Sequence, residues 1–86
     1  MPEISRFYGI IIAIFYGDHN PPHFHARYGE YKAEIEIQDF AVIEGNLPPK
    51  ALVLVMEWAS IHKEELIKNW EAAELGKPLF PVEPLK

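Results

Sequence analysis

The chain has 86 residues, a net charge of −5 and no cysteine. We expect one domain over residues 1–86, in which nearly half of the residues are apolar and can form a core, although a domain this small buries only about 60–65% of its unfolded surface. The lack of cysteine excludes disulfides and thiolate metal sites. The acidic charge disfavours nucleic acid as a ligand but does not exclude it, because a local pocket can act on one phosphodiester.

No segment predicts export or membrane insertion. The apolar run from Phe7 to Tyr16 has ten residues, whereas a helix that spans a bilayer needs about 20. It also lacks the basic start and the small-residue cleavage pattern of a secretory signal. We therefore expect a cytoplasmic protein with no membrane partner.

Four segments have strand patterns, and residues 1–6 precede them as a partly ordered lead-in. The first segment is aromatic and β-branched, is apolar on both faces and ends at Gly17. This pattern is typical of a strand that is covered on both sides or lies in the middle of a sheet. The second and third segments alternate between polar and apolar residues. The predicted strands comprise residues 7–16, 23–28, 31–38 and 41–44.

One long helix is predicted over residues 49–75, followed by an extended proline-rich tail over residues 77–86. A helix of this length would run about 40 Å, roughly twice the length of an ordinary strand. It must therefore kink near residues 60–63 or overhang the sheet, and an overhang that carries Trp70 would invite a dimer. The predicted fold is α+β: an antiparallel meander of three to four strands with one long C-terminal helix packed on one face.

A two-residue turn at Gly29-Glu30 sets the register between the second and third predicted strands. Residues directly opposite each other then have Cβ atoms about 4.5–5.5 Å apart. The predicted pairs are His23 with Glu36, His25 with Glu34, and Arg27 with Lys32. All six side chains share the outward face, so the ribbon carries two imidazoles against two carboxylates.

The first functional interpretation of this face needs no cofactor. A histidine beside a glutamate is oriented and more basic, which suits general acid–base catalysis near neutral pH. Arg27 and Lys32 could hold a phosphate or a carboxylate. The candidate catalytic residues of such a small hydrolase or nuclease are His23, His25, Arg27, Glu34 and Glu36.

The second interpretation uses a divalent metal such as zinc. Two histidines on one strand face can bind one ion, and a third can reach it from the preceding loop. The candidate ligands are His19, His23, His25 and Asp18. The alternative to both interpretations is a set of solvent-facing cross-strand pairs, each worth only a few tenths of a kcal/mol.

The segment Asp18-His19-Asn20-Pro21-Pro22-His23-Phe24-His25-Ala26 resembles the small bacterial family labelled domain of unknown function 4160. The resemblance extends to residues 6–10, 28–33, 44–48, 57–59 and 70. It implies that Asp18, His19, His23, His25 and Arg27 are motif positions. Family members usually carry glycine where this chain has Phe40, so the turn there is expected to be built differently.

The resemblance also implies a role. Members of that family resemble one half of two-gene modules of the toxin–antitoxin type. The first hypothesis is therefore a component that binds a protein partner or forms a homodimer. The acidic charge and an apolar strip beside the polar face are consistent with a partner. The alternative hypothesis is the small histidine-dependent hydrolase or nuclease, with or without metal.

Overall fold

A computed structural model describes residues 2–86 of the chain and has an α+β fold, as predicted. Five antiparallel strands form one sheet whose spatial order follows the chain order, so the predicted meander is confirmed. Two helices follow the strands. The elements are β1 (Glu3–Phe7), β2 (Ile10–Ala13), β3 (His23–Tyr28), β4 (Tyr31–Glu36), β5 (Val42–Asn46), α1 (Pro49–Ile61) and α2 (Lys63–Glu74). No helix within residues 2–86 is long and apolar enough to cross a membrane.

The prediction of a single first strand over residues 7–16 is wrong. The chain turns at Tyr8-Gly9, where φ is 50° and 80°, and the expected lead-in is strand β1. Two consecutive positive φ values fit a tight hairpin turn, which usually uses Asn-Gly or Asp-Gly. Because Tyr8 belongs to an aromatic run, the sequence carries no polar signal for this turn.

The predicted register between β3 and β4 is confirmed at every pair: His23 with Glu36, His25 with Glu34, and Arg27 with Lys32. Strands β4 and β5 differ from their predicted bounds, since β4 stops at residue 36 and β5 covers residues 42–46. Between them, Phe40 has a φ of 60°, the left-handed conformation that glycine adopts without strain. The turn therefore places a residue with a side chain in a conformation that favours glycine.

The sheet has two different faces. One face packs against the helices and forms the core with fully buried side chains such as Ile12, Phe24 and Ile35 around Trp58. We call the opposite side the open face. By the strand register it carries Ile11, Ala13, His25, Arg27, Lys32, Glu34 and Glu44.

The prediction of one long helix is also wrong, because the helix breaks at His62, inside the expected window of residues 60–63. The overhang did not form either: Trp70 is buried, and its ring lies 5.3 Å from the ring of His23. The break thus gives α2 its own direction and places it against the start of β3.

The tail over residues 77–86 forms neither helix nor strand and packs on its own chain. The amide of Val82 donates to the carbonyl of Ile4 at 2.7 Å, and the indole of Trp58 donates to the carbonyl of Glu83 at 2.8 Å. The side chain of Asn69 bonds both backbone groups of Phe80. Buried Val82 completes the core beside β1.

Candidate functional site

The loop over residues 14–22 leaves β2 and returns to β3, and it carries Asp18 to the first residues of β3. The Oδ2 atom of Asp18 lies 2.9 Å from Nε2 of His25 and 3.0 Å from Nε2 of His23. Its Oδ1 atom accepts the backbone N–H of His19 at 3.0 Å. One carboxylate thus meets both strand imidazoles, which alternation places on the same side of β3.

The imidazole of His23 is fully buried. Its Nδ1 lies 2.8 Å from the backbone carbonyl of Pro21. A carbonyl only accepts hydrogen bonds, so Nδ1 carries a proton and donates it. In the neutral ring, Nε2 is then a bare lone pair.

That lone pair faces negative charge. Besides Oδ2 of Asp18 at 3.0 Å, the Oε1 atom of Glu34 lies 3.5 Å from Nε2 of His23. Nε2 nevertheless forms no hydrogen bond with any group of residues 2–86, so the Asp18 oxygen lies off the direction in which a proton on Nε2 would point. A buried lone pair among carboxylates is unfavourable unless a cation lies between them, either a second ring proton or a metal ion.

His25 forms the accessible side of the site. Its side chain is 26% exposed, its Nε2–H donates to Oδ2 of Asp18, and the ring of Phe15 packs edge-on at 4.4 Å. This contact holds the imidazole upright on the open face. His25 is therefore the histidine of the pair that a bound molecule can reach.

The environment of Asp18 changes its pKa in two opposing ways. Burial raises the pKa of this carboxyl, but the hydrogen bonds from His25 and from the His19 amide, together with the charges of His23 and His25, lower it further than burial raises it. The net pKa lies below the ordinary value for aspartate. Asp18 is consequently an anion at neutral pH.

A groove of about 420 Å³ runs over the open face and reaches the site. Its charged and polar lining comes from β3, β4 and β5, and its apolar lining comes from β2 and the segment that follows it. The side chains on the groove are Ile11, Ala13, Phe15, His25, Arg27, Lys32, Glu34 and Glu44. The groove has the size of a small-molecule site.

The structure brings together most of the predicted site residues. Asp18, His23 and His25 offer ligand atoms within 4.8 Å of one another, which suits a single metal ion. Arg27 lines the groove beyond them. His19 stays at the rim, with a side chain that is 76% exposed and Nδ1 3.2 Å from Oδ1 of Asp18.

Two contacts differ from the predicted pairing. Glu36 lies opposite His23 in the register, yet the carboxylates beside the His23 ring belong to Asp18 and Glu34. The sequence reasoning also missed the Pro21 carbonyl and Trp70, which enclose His23. No sequence signal could locate Trp70 here, because its position depends on the helix break.

Comparison with known proteins identifies a family only. The family model described as "Domain of unknown function (DUF4160)" matches residues 9–71, which is more than half of the chain, so the resemblance seen in the sequence is confirmed. No curated protein and no solved structure matches the chain.

Proposed function

We propose that this chain, which belongs to the DUF4160 family, is a small metal-dependent hydrolase that acts on phosphate esters. In this proposal Asp18, His23 and His25 hold one divalent ion. The groove on the open face receives the substrate. Glu34, which lies beside His23 and also lines the groove, accepts a proton during the reaction.

One observation carries the proposal: Nε2 of His23 is buried, has no hydrogen-bond partner within residues 2–86 and lies close to two carboxylates. A second proton on the ring would call for an oxygen in line with the N–H bond. A metal ion instead occupies the lone-pair direction itself, and the other ligands then lie to the side, as the Oδ2 atom of Asp18 does. The geometry therefore favours a metal ion over a proton.

The ligand chemistry suits a borderline ion such as Zn²⁺. Two imidazole nitrogens and one carboxylate form a three-ligand set of the type used in catalytic zinc sites, which keep a further position for water. Ion binding would replace the hydrogen bond between His25 and Asp18 with two bonds to the metal. The Nδ1–H of His23 already donates to the Pro21 carbonyl, the outer contact that orients metal-binding histidines.

The reaction requires only water and substrate. A Zn²⁺ ion held by these residues would lower the pKa of a coordinated water to about 7 and would polarise the phosphoryl oxygen. The water oxygen bonds to phosphorus, the ester P–O bond breaks, and the leaving oxygen takes up a proton. Glu34, whose side chain is 23% exposed, is placed to take that proton from water and return it to the leaving group.

The test uses protein without a histidine tag, since a tag would bind metal itself. Metal content is measured by mass spectrometry, and hydrolysis of bis-p-nitrophenyl phosphate is followed with added Zn²⁺, Mn²⁺ or Fe²⁺. We expect one ion per chain and activity that chelator abolishes. Glu34→Gln should retain the ion and lose activity, whereas His23→Gln should lose both.

His62→Gln is the matched control, because His62 also contacts a carboxylate but lies on the helices, away from the groove. It should keep both the ion and the activity. If the wild-type protein binds none of these ions at micromolar concentration, the proposal is wrong. Equal hydrolysis with and without chelator would instead support the metal-free acid–base mechanism through His25.

A second candidate function is binding of a protein partner, as in a two-gene module of the toxin–antitoxin type. The observation in its favour is β5, an edge strand whose five residues are all exposed, including Val42 and Ile43 at 41% each. An open edge presents unpaired backbone groups to which another chain can add a strand.

Light scattering of the purified chain, alone and with the protein encoded beside it, tests this candidate. A complex that Val42→Lys disrupts would support partner binding through β5. A monomer that remains monomeric with that neighbour would contradict it. The exposed Val53→Lys on α1 is the control, since it adds the same charge away from the edge.

A further inference from the structure

The charges on the open face are arranged in two rows that run across the strands. In one row His25, Glu34 and Glu44 lie directly opposite one another on β3, β4 and β5. In the next row Arg27 lies opposite Lys32. We call these the acidic row and the basic row.

This arrangement does not serve stability. Like charges that are directly opposite on adjacent strands are destabilising, whereas opposite charges stabilise. Both Glu34 with Glu44 and Arg27 with Lys32 are like-charged pairs. Within residues 2–86, neither Arg27 nor Lys32 forms an ion pair.

The position of the basic row relates it to the site. Arg27 follows His25 by two residues on the same face of β3, so their Cα atoms lie about 6.5–7 Å apart. Both cations line the same groove as His25 and Glu34. Arg27 and Lys32 thus lie one same-face residue pair beyond His25 and Glu34, next to the position where a phosphoryl group would contact the ion.

The number of cations limits the class of ligand. A nucleic-acid strand needs a track of positive charge along its backbone, but the groove lining contains two cations and two glutamates. Arginine and lysine side by side match a single phosphoryl group, with arginine able to bond two of its oxygens. The groove volume of about 420 Å³ also fits a small molecule.

We propose that the substrate carries two adjacent phosphoryl groups, as a diphosphate ester does. This inference rests on the proposed metal-dependent hydrolase. The reacting phosphoryl group lies at Asp18, His23 and His25, and the second phosphoryl group lies between Arg27 and Lys32. The basic row therefore binds and orients the substrate without touching the reacting atoms.

The test compares two stable probes by calorimetry on metal-loaded, untagged protein: methylphosphonate, with one phosphoryl-like group, and methylenediphosphonate, with two. We expect the diphosphonate to bind at least about tenfold more tightly, as charge-assisted hydrogen bonds to a second group imply. The double variant R27Q/K32Q should reduce this preference to less than about threefold and leave the metal content unchanged. Metal content is measured again after each titration, because diphosphonates can remove metal ions.

The double variant K68Q/K77Q is the control, since it removes the same charge from exposed positions outside the groove. It should keep the wild-type preference. Metal-loaded protein that binds both probes equally, or R27Q/K32Q protein that keeps the preference, would overturn this inference alone. A chain that binds no metal ion would overturn the proposed function, and the inference with it.

Discussion

An imidazole meets a carboxylate in two regions of this molecule, and the two regions differ in one respect. At the helix junction, Nδ1 of His62 lies 2.6 Å from Oε1 of Glu65. At the sheet, the imidazoles of His23 and His25 share Asp18. Both regions have the residue types of a histidine–carboxylate pair, but in the described part of the chain only the second has a buried imidazole nitrogen without a hydrogen bond.

The difference comes from where the single proton of a neutral ring is used. At the junction one proton satisfies both His62 and Glu65, which is itself 41% exposed and solvated. At the sheet, His23 donates its one ring N–H to the Pro21 carbonyl. A neutral ring then has no N–H left to donate to the carboxylates on its other side. A histidine beside a carboxylate is therefore informative only when the partner of its second nitrogen is known.

The largest expected effect separates the two regions by metal affinity. His23→Gln should weaken Zn²⁺ binding by more than about 100-fold, since loss of a partner outside the ligand set alone costs 10–100-fold. His62→Gln should change it by less than about twofold. Competition with a chromophoric chelator measures both affinities, and circular dichroism checks that each variant is folded. Similar losses in the two variants would remove the distinction between the regions.

The next effect is thermal. At a free Zn²⁺ concentration of about 100 times the dissociation constant, binding to the folded chain adds about 2.7 kcal/mol to its stability. For a domain of this size we expect a rise in melting temperature of about 10–20 °C. Wild-type and His62→Gln proteins should show this rise in a calorimetric scan, and His23→Gln should not.

Acid should affect the metal-free protein through Asp18. Because the folded-state pKa of Asp18 is lowered, its contribution is fully present above the unfolded value of about 3.9 and disappears as the pH falls through the folded value. Between pH 5 and pH 2.5 the wild type should lose on the order of 1 kcal/mol more than Asp18→Asn. Urea unfolding with chelator present measures this loss. Parallel pH profiles for the two proteins would show that Asp18 has no such coupling.

The smallest effect belongs to the helix junction. Glu65→Gln removes the charge from a part-buried pair spaced three residues apart, and should cost about 0.3–0.5 kcal/mol at pH 6. Urea unfolding detects a change of this size when wild-type and variant proteins have the same dependence of unfolding free energy on urea concentration. If Glu65→Gln lowered the free energy of unfolding by more than about 2 kcal/mol, the weak contribution expected of this pair would be contradicted.

Part of the site follows from local pattern. Strict alternation over residues 23–28 and 31–36, joined by a two-residue turn at Gly29, determined which side chains share the open face and which lie opposite each other. A shift by one residue would have exposed Phe24 and Ile35, so the register was predictable. The helix break was predictable only as one of two alternatives and only as a window, since the length required a kink or an overhang and no proline marked the position.

The rest required the tertiary structure. Gly9 is the one local signal of the turn at Tyr8-Gly9, since the side chain of Tyr8 belongs to an apolar run. The pairing of β2 with both neighbours is what reveals the bend. Likewise, alternation placed His23 on a face expected to meet solvent, and the loop with Asp18 and the approach of Trp70 buried it. The contact of Trp70 with His23 joins segments far apart in the chain, and its position depends on how the whole core packs rather than on neighbouring residues.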